Sequence, residues 1–240
     1  MDGRWTLDFN ALEQAAADPK ARLFIMCNPM NPLGSVLTQY ELDRIATICR
    51  KHGVMLCSDE IHCDLILDDV PHLPASAHPE LAEQSVTLMA ASKTFNVAGL
   101  GTSFAIIPNA KLRAAFHHAA RGIVPSVTVT GLTATNAAFR YCDEWHQQQL
   151  AYLKENRDYL VTEINNIAGL KAISPAATFL LWVDASALQV ADTQAWCEAK
   201  GVGPSAGRDF GDKNGFRLNF GCSRDYVGEA IKKLQVKDVE

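Results

Sequence analysis

Short apolar runs rich in branched residues recur at 23–27, 54–57, 86–90 and 102–107, lengths that predict strands covered on both faces. Between the first two, the hydroxyl of Thr38 is placed to cap a helix and Glu41 to complete a capping box. The helix then carries Leu42, Ile45, Ala46 and Cys49 on one face and stops at His52-Gly53. A strand, a helix and a strand in that order build an α/β layer with a mainly parallel sheet. From about Val127 the pattern changes to long helical stretches, in which Leu153, Leu160, Ile164 and Ile167 make a stripe ending near Gly169. Further on, the pattern predicts a strand at 178–183, a short helix at 193–200 and a strand at 216–220. A final helix places Val227, Ala230, Ile231 and Leu234 on one face. The expected organisation is therefore a sheet-bearing domain over 1–125, connecting helices over 126–168 and a small α+β domain over 169–240.

Composition narrows the function classes. The chain has 240 residues, 48% hydrophobic and 20% charged, enough to bury a substantial core. A formal net charge of -5, without a run of Lys or Arg, argues against nucleic acid and anionic membranes and leaves a small molecule as the expected partner. Seven cysteines without a CxxC pair resemble neither a disulfide framework nor a zinc site, so no metal is expected and reduced thiols are. The opening residues, Met1 to Asp8, are too polar for a signal peptide, and no apolar run approaches the roughly 20 residues of a membrane span. A cytoplasmic location is the expectation.

Four segments could carry chemistry. Asn28-Pro29-Met30-Asn31-Pro32-Leu33-Gly34 follows a strand directly, which presents the Asn31 amide at the carboxyl edge of a sheet where ligands bind; an ordinary Asx-Pro turn is the alternative. Ser58-Asp59-Glu60-Ile61-His62 ends the next strand, and a buried Asp59 needs a cationic partner such as the protonated ring nitrogen of a pyridine cofactor. A divalent-metal cluster or a plain strand end remains open there. Ser92-Lys93-Thr94 closes a third strand; if the amine of Lys93 is desolvated, its neutral form is favoured and can add to a carbonyl, whereas most such lysines point into solvent. Arg217, inside the apolar strand Phe216-Arg217-Leu218-Asn219-Phe220, could grip a carboxylate with its planar fork or form a structural salt bridge. Arg224 belongs at the start of the last helix, where a structural role is expected.

Taken together, an Asn, an Asp and a Lys at successive strand ends, followed by an Arg in the next domain, resemble the class I/II aminotransferases of the fold type I pyridoxal-phosphate (PLP) superfamily. The likeness covers essentially the whole chain. It includes N-P-x-N-P-x-G, D-E-I-H, S-K-T-F-N followed by Ala98-Gly99-Leu100, the strand Thr178-Phe179-Leu180-Leu181-Trp182 and R-L-N-F-G-C-S-R. The Ile-His-Cys-Asp-Leu continuation after Asp59-Glu60, and Gly101 where many aminotransferases have a phosphate-binding Arg, look like the cystathionine β-lyase (C-S lyase) branch.

The resemblance implies PLP as cofactor, held by Lys93, which would also move the proton of the substrate α-carbon. It implies that Asp59 pairs with the pyridinium nitrogen, that Asn31 and His62 contact the phenolic oxygen, that Ser92 donates to the phosphate and that Arg217 binds the substrate α-carboxylate. The implied reaction is β-elimination from cystathionine- or cysteine-type amino acids to pyruvate, ammonia and a thiol. An aminotransferase of the same fold and an inactive fragment are the alternatives. Relatives of this kind carry a further segment ahead of the first strand, with a phosphate-binding turn and an aromatic residue that stacks on the ring. The chain is accordingly expected to be amino-terminally truncated, with a partial large domain, exposed strand edges and apolar patches, and to form a homodimer if the missing part is supplied.

Overall fold

The computed structural model describes residues 3–236. These divide into two compact units, one comprising residues 6–29 and 36–147 and the other residues 3–5, 30–35 and 148–236. Each is built around its own four-stranded sheet.

In the first unit the helix α1 (Phe9–Ala16) begins at Asp8, whose carboxylate accepts from the backbone N–H of Asn10 and Ala11 and satisfies two orphan donors of the first turn. The strand β1 (Leu23–Cys27) follows, then α2 (Gln39–His52) and β2 (Met55–Asp59). The expected capping box is present: Thr38 Oγ1 accepts from the N–H of Glu41, and Glu41 Oε2 accepts from that of Thr38 at 2.9 Å. The helix stops at Gly53, which takes the left-handed conformation (φ 66°) that glycine adopts without steric cost. Its apolar face, with Leu42, Ile45, Ala46 and Cys49, packs on Met26 of β1 and Leu56 of β2 to form the core of the unit.

The strand β3 (Ser85–Met89) pairs in parallel with β2, as β2 does with β1, and β4 (Phe104–Ile106) runs antiparallel to β3. Parallel pairing gathers the carboxyl ends of β1, β2 and β3 along one edge of the sheet. Two sequence expectations are corrected here. β1, an edge strand, is covered on one face only: its Leu23 and Ile25 are 55% and 70% exposed. β4 likewise leaves Phe104 and Ile106 partly exposed. Two helices close the unit, α3 (Ala110–Ala120), capped by Asn109, and α4 (Val129–Tyr141), capped by Thr128.

The long helix α5 (Asp143–Asn165) leads into the second unit. There β5 (Lys171–Ala172), β6 (Leu180–Asp184), β7 (Ser205–Ala206) and β8 (Gly215–Asn219) form an antiparallel sheet in the order β5-β6-β8-β7. β6 is buried along almost its whole length, and Phe216 of β8 and Phe220 directly after it are fully enclosed. α6 (Thr193–Ala199) and α7 (Arg224–Leu234) complete the unit; the latter buries Val227, Ile231 and Leu234, three of the four positions expected on its inner face. Among the described residues no helix is long and apolar enough to cross a membrane.

Candidate active site

Asp59 is the last residue of β2, flanked in register by Cys27 of β1 and Leu88 of β3, so these three side chains share one face of the sheet. Its backbone carbonyl accepts from the N–H of Asn28 at 2.9 Å and its Oδ1 from that of Ile61 at 3.1 Å. Those two bonds close the strand end and leave the rest of the half-buried carboxylate without a cation against it among the described residues. Its neighbour Glu60 is fully buried and turned into the protein. It accepts from Ser58 Oγ at 2.8 Å and from the N–H of Ala75 at 2.9 Å, and lies 2.8 Å from His72 Nε2. A buried carboxylate persists only when so compensated. Glu60 is thereby committed to protein partners rather than to a shared ion, and no group of three or more His, Cys, Asp or Glu among the described residues is arranged to hold a metal. His62 is buried in the turn that follows.

Lys93 stands four residues beyond the end of β3, on the same sheet edge as the Asp59 strand end. The turn that carries it is pinned by Phe95, whose ring meets Phe139 edge-on at 5.5 Å and stacks against Trp145 at 6.1 Å, and by a hydrogen bond from the N–H of Phe95 to the carbonyl of Ala91. Ala91 and Thr94 of this turn point inward and are buried, which sends Lys93 outward, and it is exposed. Of the two readings left open for Lys93, a desolvated amine and a side chain in solvent, the structure has the second: a strand end fixes where the residue stands, but the turn beyond it decides which way the side chain leaves. Ser92, beside it, is half-buried.

Asn31 and Arg217 both lie in the second unit, and there the structure brings them together. Arg217 Nη1 donates to Asn31 Oδ1 at 2.9 Å, and Nη2 donates to Ser205 Oγ at 2.8 Å. Because a guanidinium can only donate, it is the carbonyl end of the Asn31 amide that faces it, which leaves the amino group turned elsewhere as a donor. Register places Trp182 of β6 and Ser205 of β7 on either side of Arg217. The Phe210 ring covers the guanidinium at 4.8 Å and itself rests edge-on against Trp182 at 5.8 Å. Burial pushes the Arg217 guanidinium below its usual value. No carboxylate pairs with it among the described residues, so the structural salt bridge left open by the sequence is not formed. The sequence reading missed Ser205 and Phe210; β7 is two residues long and carries no recognisable period. Arg224, as expected, begins α7, packs over Tyr159 and lies 3.8 Å from Glu155.

These donor sets suit PLP and an amino acid. A pyridine nitrogen that must stay protonated calls for a carboxylate, an aldehyde for a primary amine and a substrate carboxylate for an uncompensated guanidinium. The first unit carries a carboxylate in Asp59 and a primary amine in Lys93, and the second unit carries such a guanidinium in Arg217.

Comparison with known proteins points the same way. The sequence profile of the family described as aminotransferase class I and II matches residues 2–234. Cystathionine β-lyase PatB of Bacillus subtilis is 35% identical, over 98% of this chain and 62% of that protein. The crystal structure of OvoB superposes with a TM-score of 0.94 at 44% identity, over 98% of this chain and 62% of the other. Cystalysin of Treponema denticola, whose crystal structure contains pyridoxal 5'-phosphate, superposes with a TM-score of 0.91 at 30% identity, over 98% and 62%. The chain thus spans somewhat less than two thirds of the length of these relatives.

Proposed function

Because the chain belongs to the class I and II aminotransferase family of PLP-dependent, fold type I enzymes, we propose that it carries the lysine and the substrate grip of a carbon–sulfur β-lyase acting on cystathionine- or cysteine-type amino acids. The observation that carries the reading is Arg217: a half-buried guanidinium held by two neutral acceptors and an aromatic face, with no carboxylate against it among the described residues. Such a group has charge left to satisfy, and the α-carboxylate of an amino acid fits its fork.

When bound, PLP withdraws electrons from the substrate α-carbon. On this reading Lys93 Nζ would hold the cofactor and then take the α-proton and pass it to the departing sulfur, the Asp59 carboxylate would keep the ring nitrogen protonated, and Arg217 would orient the substrate through its carboxylate. By the same reading Asn31 and His62 would contact the phenolic oxygen, and Ser92 would donate to the phosphate. In the elimination the α-proton is removed, the Cβ–S bond breaks and the sulfur leaves as a protonated thiol. The released enamine takes up water to give pyruvate and ammonia, so that cystathionine and water yield homocysteine, pyruvate and ammonia.

The lyase rather than the transferase outcome is supported by the name of the B. subtilis relative and by Gly101, which stands where many aminotransferases place a phosphate-binding Arg. A cytoplasmic homodimer is part of the proposal. The seven cysteines are free thiols, and the segment around α4 leaves Ile123, Val124, Val129 and Leu132 strongly exposed, a surface suited to a second copy.

The test is incubation of the PLP-supplemented protein with cystathionine and, separately, with an amino acid plus 2-oxoglutarate. Pyruvate and homocysteine from the first support the lyase; a new amino acid from the second, without pyruvate from the first, makes it an aminotransferase. Absence of any visible absorbance from protein-bound PLP, even at excess cofactor, rules out catalysis by this chain.

A further inference from the structure

Helix α5 carries two adjacent polar side chains in the interior of the second unit: Asn156 is 0% exposed and Arg157 4%. Both stand at i+3 and i+4 from Leu153, on the inward face shared with the apolar Leu153, Leu160 and Ile164, where the helix pattern calls for apolar residues. Burying an amide and a guanidinium is unfavourable unless both are spent on hydrogen bonds, and here they reach two different backbone segments. Asn156 Nδ2 donates to the carbonyls of Phe220 and Cys222, at 3.0 and 2.9 Å, and Arg157 Nη1 donates to the carbonyl of Pro175 at 2.9 Å.

Each segment supports one half of the Asn31–Arg217 pair. Phe220 comes directly after β8, three residues beyond Arg217, and its N–H is tied to the carbonyl of Phe179. Pro175 backs the turn that carries Asn31. Gly34 of that turn has φ +63° and lies so close that a Cβ on it would meet Pro175 Cβ at 2.2 Å, and its carbonyl accepts from the N–H of Ala177 at 3.0 Å. The turn is closed on itself by hydrogen bonds from the N–H of Gly34 to the carbonyl of Met30 and from the N–H of Met30 to that of Ser35, so it moves as one piece.

We propose that Asn156 and Arg157 are positioning residues: from a single turn of α5 they set the spacing between the strand that carries Arg217 and the turn that carries Asn31, and so hold the guanidinium and amide in the geometry that receives a carboxylate. The inference rests on the reading of Arg217 given above. Neither side chain need touch substrate or cofactor.

A double-mutant cycle on the full 240-residue chain, with propionate as the carboxylate probe and propionamide as the uncharged control, tests both ideas at once. Binding is followed by NMR shift titration, with and without PLP, and folding by thermal melting. Arg157→Met and Asn156→Ala are each expected to weaken propionate binding by about tenfold, as displacement of a binding group by a remote change does. Propionamide binding stays unmoved. In an Arg217→Ala background the same substitutions change propionate binding by less than about twofold, whereas a purely structural role lowers the melting temperature in both backgrounds and leaves the affinity of the folded protein intact. Arg157→Lys, which keeps a donor for Pro175, recovers most of the affinity. If Arg157→Met or Asn156→Ala does not fold, Arg157→Lys and Asn156→Ser replace them, with an expected loss of about threefold. Unchanged propionate affinity in the α5 variants, alongside a loss in Arg217→Ala, overturns the inference and leaves the carboxylate reading standing. Unchanged affinity in Arg217→Ala itself removes that reading, and the positioning role with it.

Discussion

In the antiparallel sheet β6 is enclosed and Phe216 and Phe220 have no exposed surface, whereas in the mainly parallel sheet β1 leaves Ile25 70% exposed at an unpaired edge. The side chains in question differ accordingly. Arg217 finds an amide, a hydroxyl and an aromatic ring within its own unit, so its geometry is complete in this chain. Lys93 sits on a well-pinned turn but is exposed, and Asp59 ends its strand with no cation against it. Sheet pairing alone brings reactive groups to one edge; enclosing them takes further layers of chain, which the second unit has around Arg217 and the first lacks on the open face of β1.

The sharpest way to break this contrast is to hollow each sheet. Phe216→Ala removes a fully buried ring and is expected to cost about 3–5 kcal/mol by loss of burial and a residual cavity, measured by chemical denaturation. If it costs no more than a surface change, the second unit is not a closed body. The next effect is functional: Arg217→Ala is expected to lower kcat/KM for cystathionine by about 100-fold, mostly through KM, because an α-carboxylate loses a charge-assisted, planar partner. An unchanged KM would place the carboxylate elsewhere.

Thiol reactivity probes both units together. Burial pushes the thiols of Cys49 and Cys63 in the first unit up to about 11 and about 12, and that of Cys197 in the second up to about 12. With iodoacetamide at pH 8 the exposed Cys222 should be labelled first, and those three only after unfolding, as read by mass spectrometry. Early labelling of Cys49 or Cys63 alone would mean that the open sheet breathes.

A smaller effect separates the units by pH. Hydrogen bonds from His52 and Lys51 hold the Glu13 carboxyl below its usual range, and those from Gln39 and His78 do the same for Asp43, both in the first unit. A depressed folded value means that the unfolded chain binds the proton more readily. The stabilisation is present above the ordinary carboxylate range and is lost as pH falls through the folded values. Glu13→Gln should therefore lower the melting temperature slightly near pH 7, where the stabilisation is present, and flatten the acid limb of the profile. The smallest effect belongs to the open face. Ile25→Ser should change stability by no more than about 0.5 kcal/mol, and a larger loss would show that Ile25 is covered in solution.

Much of this was readable in the chain. The Thr38–Glu41 capping box and the stop at Gly53 rest on local chemistry, since the groups that satisfy each other lie within a few residues, and the structure reproduces them. The strand ends that carry Asp59 and the turn at Asn31 were legible for the same reason. The helices Phe9–Ala16 and Ala110–Ala120 and the two-residue strands β5 and β7 were not, being short or weakly periodic. Nor does a motif reveal that β1 lies at an edge, because the same apolar run suits a covered strand and an open one.

By itself, then, the order of residues determined which side chains end which strands and what chemistry those side chains bring: an amine, a carboxylate, an amide and a guanidinium. Tertiary structure alone decided their surroundings. It matched Asn31 with Arg217 across 186 positions of chain, spent Asn156 and Arg157 on distant carbonyls and turned Lys93 outward. The physical reason is range. Capping and strand periodicity act between near neighbours, while burial and long-range hydrogen bonds depend on which segments the completed fold lays side by side.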